Sequence, residues 1–177
     1  MNMNMNINVD LPAVKNKYTQ FVNSLNSLML STLDEEGNPF ISYAPFVAYE
    51  NKIYIYISQI ANHYHHLEKN PKVDVLLIED EARSANLFAR QRVRFPCTAK
   101  NVGNTENDEV FELFAERFPA KLVSMLRTLD FSLFELTPEI GRYVAGFGLA
   151  FDLDLTGETF EHVARDGHAM KGAAEAK

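Results

Sequence analysis

From Leu11 the apolar residues return at helical spacing: Val14, Tyr18, Phe21, Val22 and Leu25 share one side of a helix. Pro12 falls in its first turn, where the missing N–H costs no helical bond. The period then drops to two. Residues 28–33 read as a short buried strand, the run Asp34-Glu35-Glu36-Gly37-Asn38-Pro39 as a turn, and 40–49 as the returning strand of a hairpin. Residues 52–58 alternate Ile53, Ile55 and Ile57 against Tyr54, Tyr56 and Ser58, which predicts a third strand.

Residues 60–69 lack that alternation and stop at Asn70-Pro71, so a short helix leads into a fourth strand over 73–78. A further short helix is expected over 83–89, then a long strand over 91–102 whose Pro96 must sit at an edge or a bulge. Thr105, followed three residues later by an acid, caps a helix to 118 with Val110, Phe111, Leu113 and Phe114 on one side. A second helical segment, 120–129, follows Pro119. Two strands, 131–136 and 140–153, close the pattern; Gly141, Gly146 and Gly148 loosen the second, which implies a bend or a close backbone approach. Hairpin-like links with marginal helices imply an α+β fold, an antiparallel sheet curled into a six-stranded barrel that hides its Tyr- and Ile-rich edges.

The chain has 177 residues, 46% hydrophobic and 23% charged, which suits one packed domain. Its expected division is a disordered N-terminus over 1–10, a barrel over 11–153 and a tail over 154–177, poor in aromatics and richer in Gly, Ala and acids. No stretch approaches the roughly 20 unbroken apolar residues of a membrane-spanning helix, and the Met- and Asn-rich start is unlike a secretory signal. The single Cys97 excludes an intrachain disulfide and fits a reducing, cytoplasmic setting. A formal charge of -7 repels nucleic acid. The expectation is a cytoplasmic protein without nucleic-acid or membrane partners.

His63 and His66 lie at i and i+3, so they either share a cation with Glu68 or Glu79 or decorate a polar helix surface. Arg90, Arg92 and Arg94 alternate along one predicted strand, which sets three guanidinium groups on one face about 6.6 to 7 Å apart. Such a row holds a carboxylate or phosphate ligand, or it is a solvated face with surface ion pairs. Gly146-Phe147-Gly148 is too short for a dinucleotide fingerprint, and Cys97 lacks a Cys-His signature, which makes it a core or edge thiol.

The succession of Leu-Met-Leu-Ser-Thr-Leu over 28–33, Gly37-Asn38-Pro39, Ser42-Tyr43-Ala44-Pro45-Phe46 and Leu67-Glu68-Lys69-Asn70-Pro71 resembles the flavin-binding split-barrel superfamily of pyridoxamine 5'-phosphate oxidase. Ile78-Glu79-Asp80-Glu81, Leu87-Phe88-Ala89-Arg90-Gln91-Arg92-Val93 and Val144-Ala145-Gly146-Phe147-Gly148-Leu149-Ala150 are similar to its haem-utilisation, HugZ/HutZ-like branch. That resemblance implies a homodimer of six-stranded split barrels of the FMN-binding type, with haem at the subunit interface. It further implies a haem oxygenase-like activity that opens the porphyrin and releases iron, fed by an external electron donor or reductase.

In that branch a C-terminal histidine ligates the iron. Arg165-Asp166-Gly167-His168 matches it, which makes His168 the metal ligand. Leu129-Asp130-Phe131 matches an acid that accepts the ring N–H of that histidine from the neighbouring chain, so Asp130 and His168 are the residues expected to carry the reaction. Arg90 and Arg92 lie where family members meet the haem propionates, and His63 is a further haem-binding candidate, next in line as ligand. The flavin phosphate cradle of the superfamily departs from pattern, with Ser42-Tyr43 and His63-Tyr64-His65 where basic residues are usual. Haem is therefore the expected cofactor and FMN the alternative; a non-catalytic haem store or carrier fits the same residues.

Overall fold

The computed structural model describes residues 9–163. Helix α1 (Leu11–Asn23) starts on Asp10, whose carboxylate accepts from Ala13 N, and buries the predicted stripe of Tyr18, Phe21 and Val22. Strands β1 (Ser27–Leu33), β2 (Pro39–Tyr49) and β3 (Lys52–Ser58) form an antiparallel meander. Helix α2 (Asn62–Lys69) precedes β4 (Lys72–Ile78), and β5 (Arg92–Gly103) leads to α3 (Asp108–Arg117), α4 (Ala120–Leu126) and β6 (Phe131–Pro138). β3 pairs with β6, β6 with β5, β5 with β4 and β4 with β1, which closes an antiparallel barrel of six strands.

The alternation in β3 separates two cores. Ile53, Ile55 and Ile57 point into the barrel with Leu30, Val75 and Phe95, while Tyr54 and Tyr56 point outward under α3 and α4 against Phe111, Phe114 and Val123. Cys97 is buried in the barrel, and burial pushes its thiol up to about 12, so it is an inert core group.

β7 (Gly141–Gly146) continues β6 end to end along β5, so that Cys97 pairs with Pro138 and Arg94 with Arg142. Pro96 falls at the gap between these partners, and its carbonyl accepts from Glu139 N at 2.8 Å. The N and O of a strand residue face the same side, so the missing N–H of Pro96 faces that gap, in a central strand and at neither an edge nor a bulge. Gly141 is pressed onto β5: a Cβ there would come 2.5 Å from the Arg94 carbonyl oxygen and strike the Phe95 ring.

Three expectations are corrected. The single strand over 140–153 is a hairpin of β7 and β8 (Leu149–Leu153), turned at Gly148 with φ +67°. The helix over 83–89 is two 3-10 turns, Glu81–Arg83 and Leu87–Ala89, held by Asp80 and Asn86 side chains. Thr105 does not cap α3; Asn107 occupies the N-cap position, in the left-handed region that asparagine tolerates and without a side-chain bond to the first turn. The sheet also runs past residue 153. Asp154 closes a turn by accepting from Thr156 Oγ1, Glu158 N and Thr159 N, and β9 (Phe160–His162) then pairs with β8. Phe160 is buried against Tyr18, Tyr143 and Phe151, so this aromatic anchors the start of the tail.

Candidate functional site

β7, β8 and β9 form a wing that leaves the barrel along β5. Its inner face, Tyr143, Phe151, Leu153 and Phe160, packs under α1. The opposite face is continuous with the outer face of β4 and β5, because paired residues share a side: Leu76 faces Arg94, Arg94 faces Arg142, Arg142 faces Asp152, and Arg92 faces Val144. Leu76, Arg92, Arg94, Ile140, Val144 and Asp152 line a shallow concavity of about 680 Å³ there. Its floor is apolar and its polar groups are mostly cationic.

The arginines are not equivalent. Arg94 donates to Asp74 at 2.6 Å, and Arg142 holds Asp152 through two donors, its Nη2 at 3.0 Å, which raises the Arg142 pKa further. Arg92 donates Nη1 to the Arg90 carbonyl at 2.8 Å, and Arg90 donates Nε to the Glu79 carbonyl at 2.6 Å. Among the described residues neither Arg90 nor Arg92 is bridged to a carboxylate. The expected row of three is corrected to two: Arg90 caps the 3-10 turn before β5, while Arg92 and Arg94 share the strand face. Arg92 is thus the cation on this face whose charge is not cancelled nearby, and its bond to a carbonyl fixes the guanidinium without neutralising it.

Asp130 lies elsewhere. It precedes β6, accepts from Ser58 Oγ at 3.1 Å, and its carbonyl accepts from Gln59 N at 2.7 Å. Leu133 near that end of β6 pairs with Gly103 at the far end of β5 from Arg92, so one chain does not bring Asp130 and Arg92 together. His63 shares the Asp130 end, on the first turn of α2; burial first, then the nearby His66, holds its pKa below the usual imidazole value. His66 is committed to Thr32 Oγ1 at 3.0 Å and to the edge of Phe40. No cluster of three metal-ligating side chains exists among the described residues.

Among the described residues no histidine lines the arginine face: His162 rests on Phe151, on the α1 side of the wing. His168 lies outside the described residues. Ser42 Oγ, in the expected flavin cradle, is buried without a partner, and Lys69 at the end of α2 is tied to Glu35. Among the described residues, that region therefore offers a phosphate Lys69 only in its pair with Glu35. Arg142, Asp152, Leu76 and Ile140 were missed from sequence; the signal was the glycine-marked turn at 146–148, which places Arg142 opposite Asp152 once it is read as a hairpin.

Residues 14–145 match the family model described as pyridoxamine 5'-phosphate oxidase. The chain is 39% identical over 139 residues to the protein named haem oxygenase HutZ of Vibrio cholerae, a match covering 76% of this chain and 77% of that one. The crystal structure of Campylobacter jejuni ChuZ superposes with a TM-score of 0.77 at 32% identity, over 86% of this chain and 63% of ChuZ, so the chain spans less than two thirds of that relative. The structure of HutZ, described as a haem storage protein, matches with a TM-score of 0.64 at 37% identity, over 72% of this chain and 89% of HutZ.

Proposed function

The chain belongs to the pyridoxamine 5'-phosphate oxidase family, in its haem-utilisation branch, and we propose that it binds haem on the open arginine face and opens the porphyrin to release iron. The observation that carries this reading is Arg92: a cation without a carboxylate partner, set over an apolar floor of Leu76, Ile140 and Val144. A flat apolar ring with carboxylate arms is the complement of such a face.

Each residue then has a task. Arg92 receives a propionate, with Arg90 bracing it through its carbonyl. The paired Arg94 and Arg142 frame the face without competing for the ligand. His168 would hold the iron through a ring nitrogen. Asp130 of a second copy accepts the other ring N–H, which fixes the tautomer and orientation; its tie to Ser58 keeps the carboxylate aimed. Met29, Ile41 and Tyr43 stand exposed on the outer face of β1 and β2, apolar surface that the second copy covers in a homodimer. Bound haem supplies oxygen activation at its iron, with electrons from an external donor.

A storage role is the second reading, favoured by the description of the HutZ structure as a haem storage protein. Haemin titration of the purified protein separates the possibilities. The expected result is a Soret band saturating at about one haem per chain, then bleaching with iron release on addition of ascorbate and oxygen. A stable Soret band under those conditions identifies a store. Yellow protein that retains FMN and ignores haemin overturns both readings.

A further inference from the structure

Three guanidinium groups line the open face, yet they differ in charge. Arg92 and Arg94 are two residues apart on β5, and Arg142 on β7 is opposite Arg94 and diagonal to Arg92, which sets neighbouring backbone positions about 5 to 8 Å apart. Two arms of one ligand can reach two such groups at once. A pair of acids stands in the way. Asp152 lies directly across the hairpin from Arg142 and takes two of its donors, Nε and Nη2, the latter at 3.0 Å. Asp74 lies two residues along β4 from Leu76, the residue opposite Arg94, and accepts from Arg94 Nη2 at 2.6 Å. Three cations and two acids leave one positive charge over. It sits on Arg92, whose acceptor is the neutral Arg90 carbonyl at 2.8 Å.

A ligand carboxylate therefore meets two kinds of arginine. At Arg92 it adds charge-assisted bonds without displacing an anion. At Arg142 it has to displace Asp152, which the hairpin holds in place at high effective concentration, and it then stands beside the acid it displaced. Exchanging one carboxylate for another gains no bond, and two anions at one site repel. The same holds at Arg94, where Asp74 is the anion to be displaced. The rest of the lining, Leu76, Ile140, Gly141 and Val144, carries no charge.

We propose that Asp74 and Asp152 are specificity-determining residues that make this a one-carboxylate face: it recognises a flat apolar ring through a single carboxylate on Arg92 and leaves a second carboxylate on the same ring unrecognised. This rests on the haem reading above and defines the ligand class more closely, as ring compounds with at least one free carboxylate, whether the other arm is an acid or an ester.

Methyl esters of haemin test this, titrated into the purified protein while the Soret band is recorded. The iron is common to haemin, its monomethyl ester and its dimethyl ester, so whatever holds the iron cancels from the ratios of affinity. Haemin and the monoester should bind within about two-fold of each other, the factor for presenting either of two carboxylates instead of one, and the diester roughly 10 to 100-fold more weakly. A monoester that binds ten-fold or more weakly than haemin means that two carboxylates are held, and equal affinity for all three means that none is; either result overturns the proposal. Asp152→Asn removes the negative charge and keeps an acceptor for Arg142; the pair is partly exposed, so the urea midpoint should change little. With a second cation released, this variant should bind haemin about ten-fold more tightly than the wild type, with no more than about a two-fold gain for the monoester. Asp74→Asn is the independent second variant, with the same expectation through Arg94. Unchanged haemin affinity in both overturns the role of the acids. A wild-type chain that gives no Soret change with haemin is a different failure: it removes the haem reading itself, and the proposal with it.

Discussion

The closed barrel and the β7–β9 wing are antiparallel sheet built from the same residue types, yet they are finished differently. In the barrel every strand has two neighbours, and β3 is covered on both faces, by the interior and by α3 and α4. The wing is covered on one face only, by α1, and its other face carries Arg142, Val144 and Asp152, continuous with Arg92 on β5 of the barrel. Closure removes sheet edges and concentrates apolar burial, which is where stability comes from. The wing leaves a flat face open because β7 departs from the ring at Gly141. On the proposed haem reading, recognition rests on the open outer face shared by β5 and the wing while stability rests on the barrel interior, and variants should sort accordingly.

The largest separation is expected from truncation after Val163. Unlike a cut after Gly157, it leaves Phe160 in the core, so the urea midpoint should stay put while axial ligation is lost, a change in haem affinity beyond the roughly 100-fold upper range for a residue that merely orients a ligand. Retained histidine ligation in the Soret and visible bands would place the ligand within residues 9–163, with His63 the next candidate. Gly141→Ala strikes the seam between the regions. Its Cβ meets the Arg94 carbonyl and the Phe95 ring, so unfolding in urea should register a loss of about 3 kcal/mol, the upper end of ordinary overpacking; wild-type stability would show that the seam has slack.

Arg92→Ala should weaken haem binding by roughly 10 to 100-fold, the loss of one charge-assisted bond, at unchanged urea midpoint. Arg94→Ala should cost less because Asp74 already occupies that guanidinium, and Arg90→Ala less because its role is to brace. Equal losses for the three would mean a diffuse basic surface. Asp130→Asn should cost a comparable 10 to 100-fold in affinity or turnover with the barrel intact, and should be non-additive with His168→Ala. The smallest effect belongs to His63. Its folded pKa is depressed below 6.5, so the unfolded chain binds more protons and stability falls as pH drops from about 6.5 through the folded value. His63→Gln should flatten that acid limb in urea titrations at successive pH values; an unchanged limb would assign it to other groups.

Much of this was legible in the sequence because it is local. The period of two in β3 and β5, the helical stripe of α1, the breaker at Asn70-Pro71 and the glycines of β7 and β8 each act through a few neighbouring residues, and each appears in the structure. The resemblance carried Asp130, Arg90, Arg92 and His63, but neither periodicity nor motif told which arginine keeps its charge uncancelled. That depended on Asp74 standing opposite the Arg94 region on β4 and on Asp152 pairing with Arg142 across a hairpin. Thr105 was a plausible cap by spacing, and Asn107 displaced it because asparagine sustains the left-handed backbone that starts α3.

The sequence by itself determined the strand and helix content, the faces turned inward, and the placement of Arg92 and Arg94 on one side of a strand. Alternation is a property of the backbone, and burial of the apolar face follows from it whatever the partner strand. Only the tertiary structure decided that β6 and β7 share β5, that the wing peels away at Gly141, and that the barrel end bearing Asp130 lies far from Arg92. These are consequences of register between strands distant in the chain, and register is set by closing the whole sheet at once.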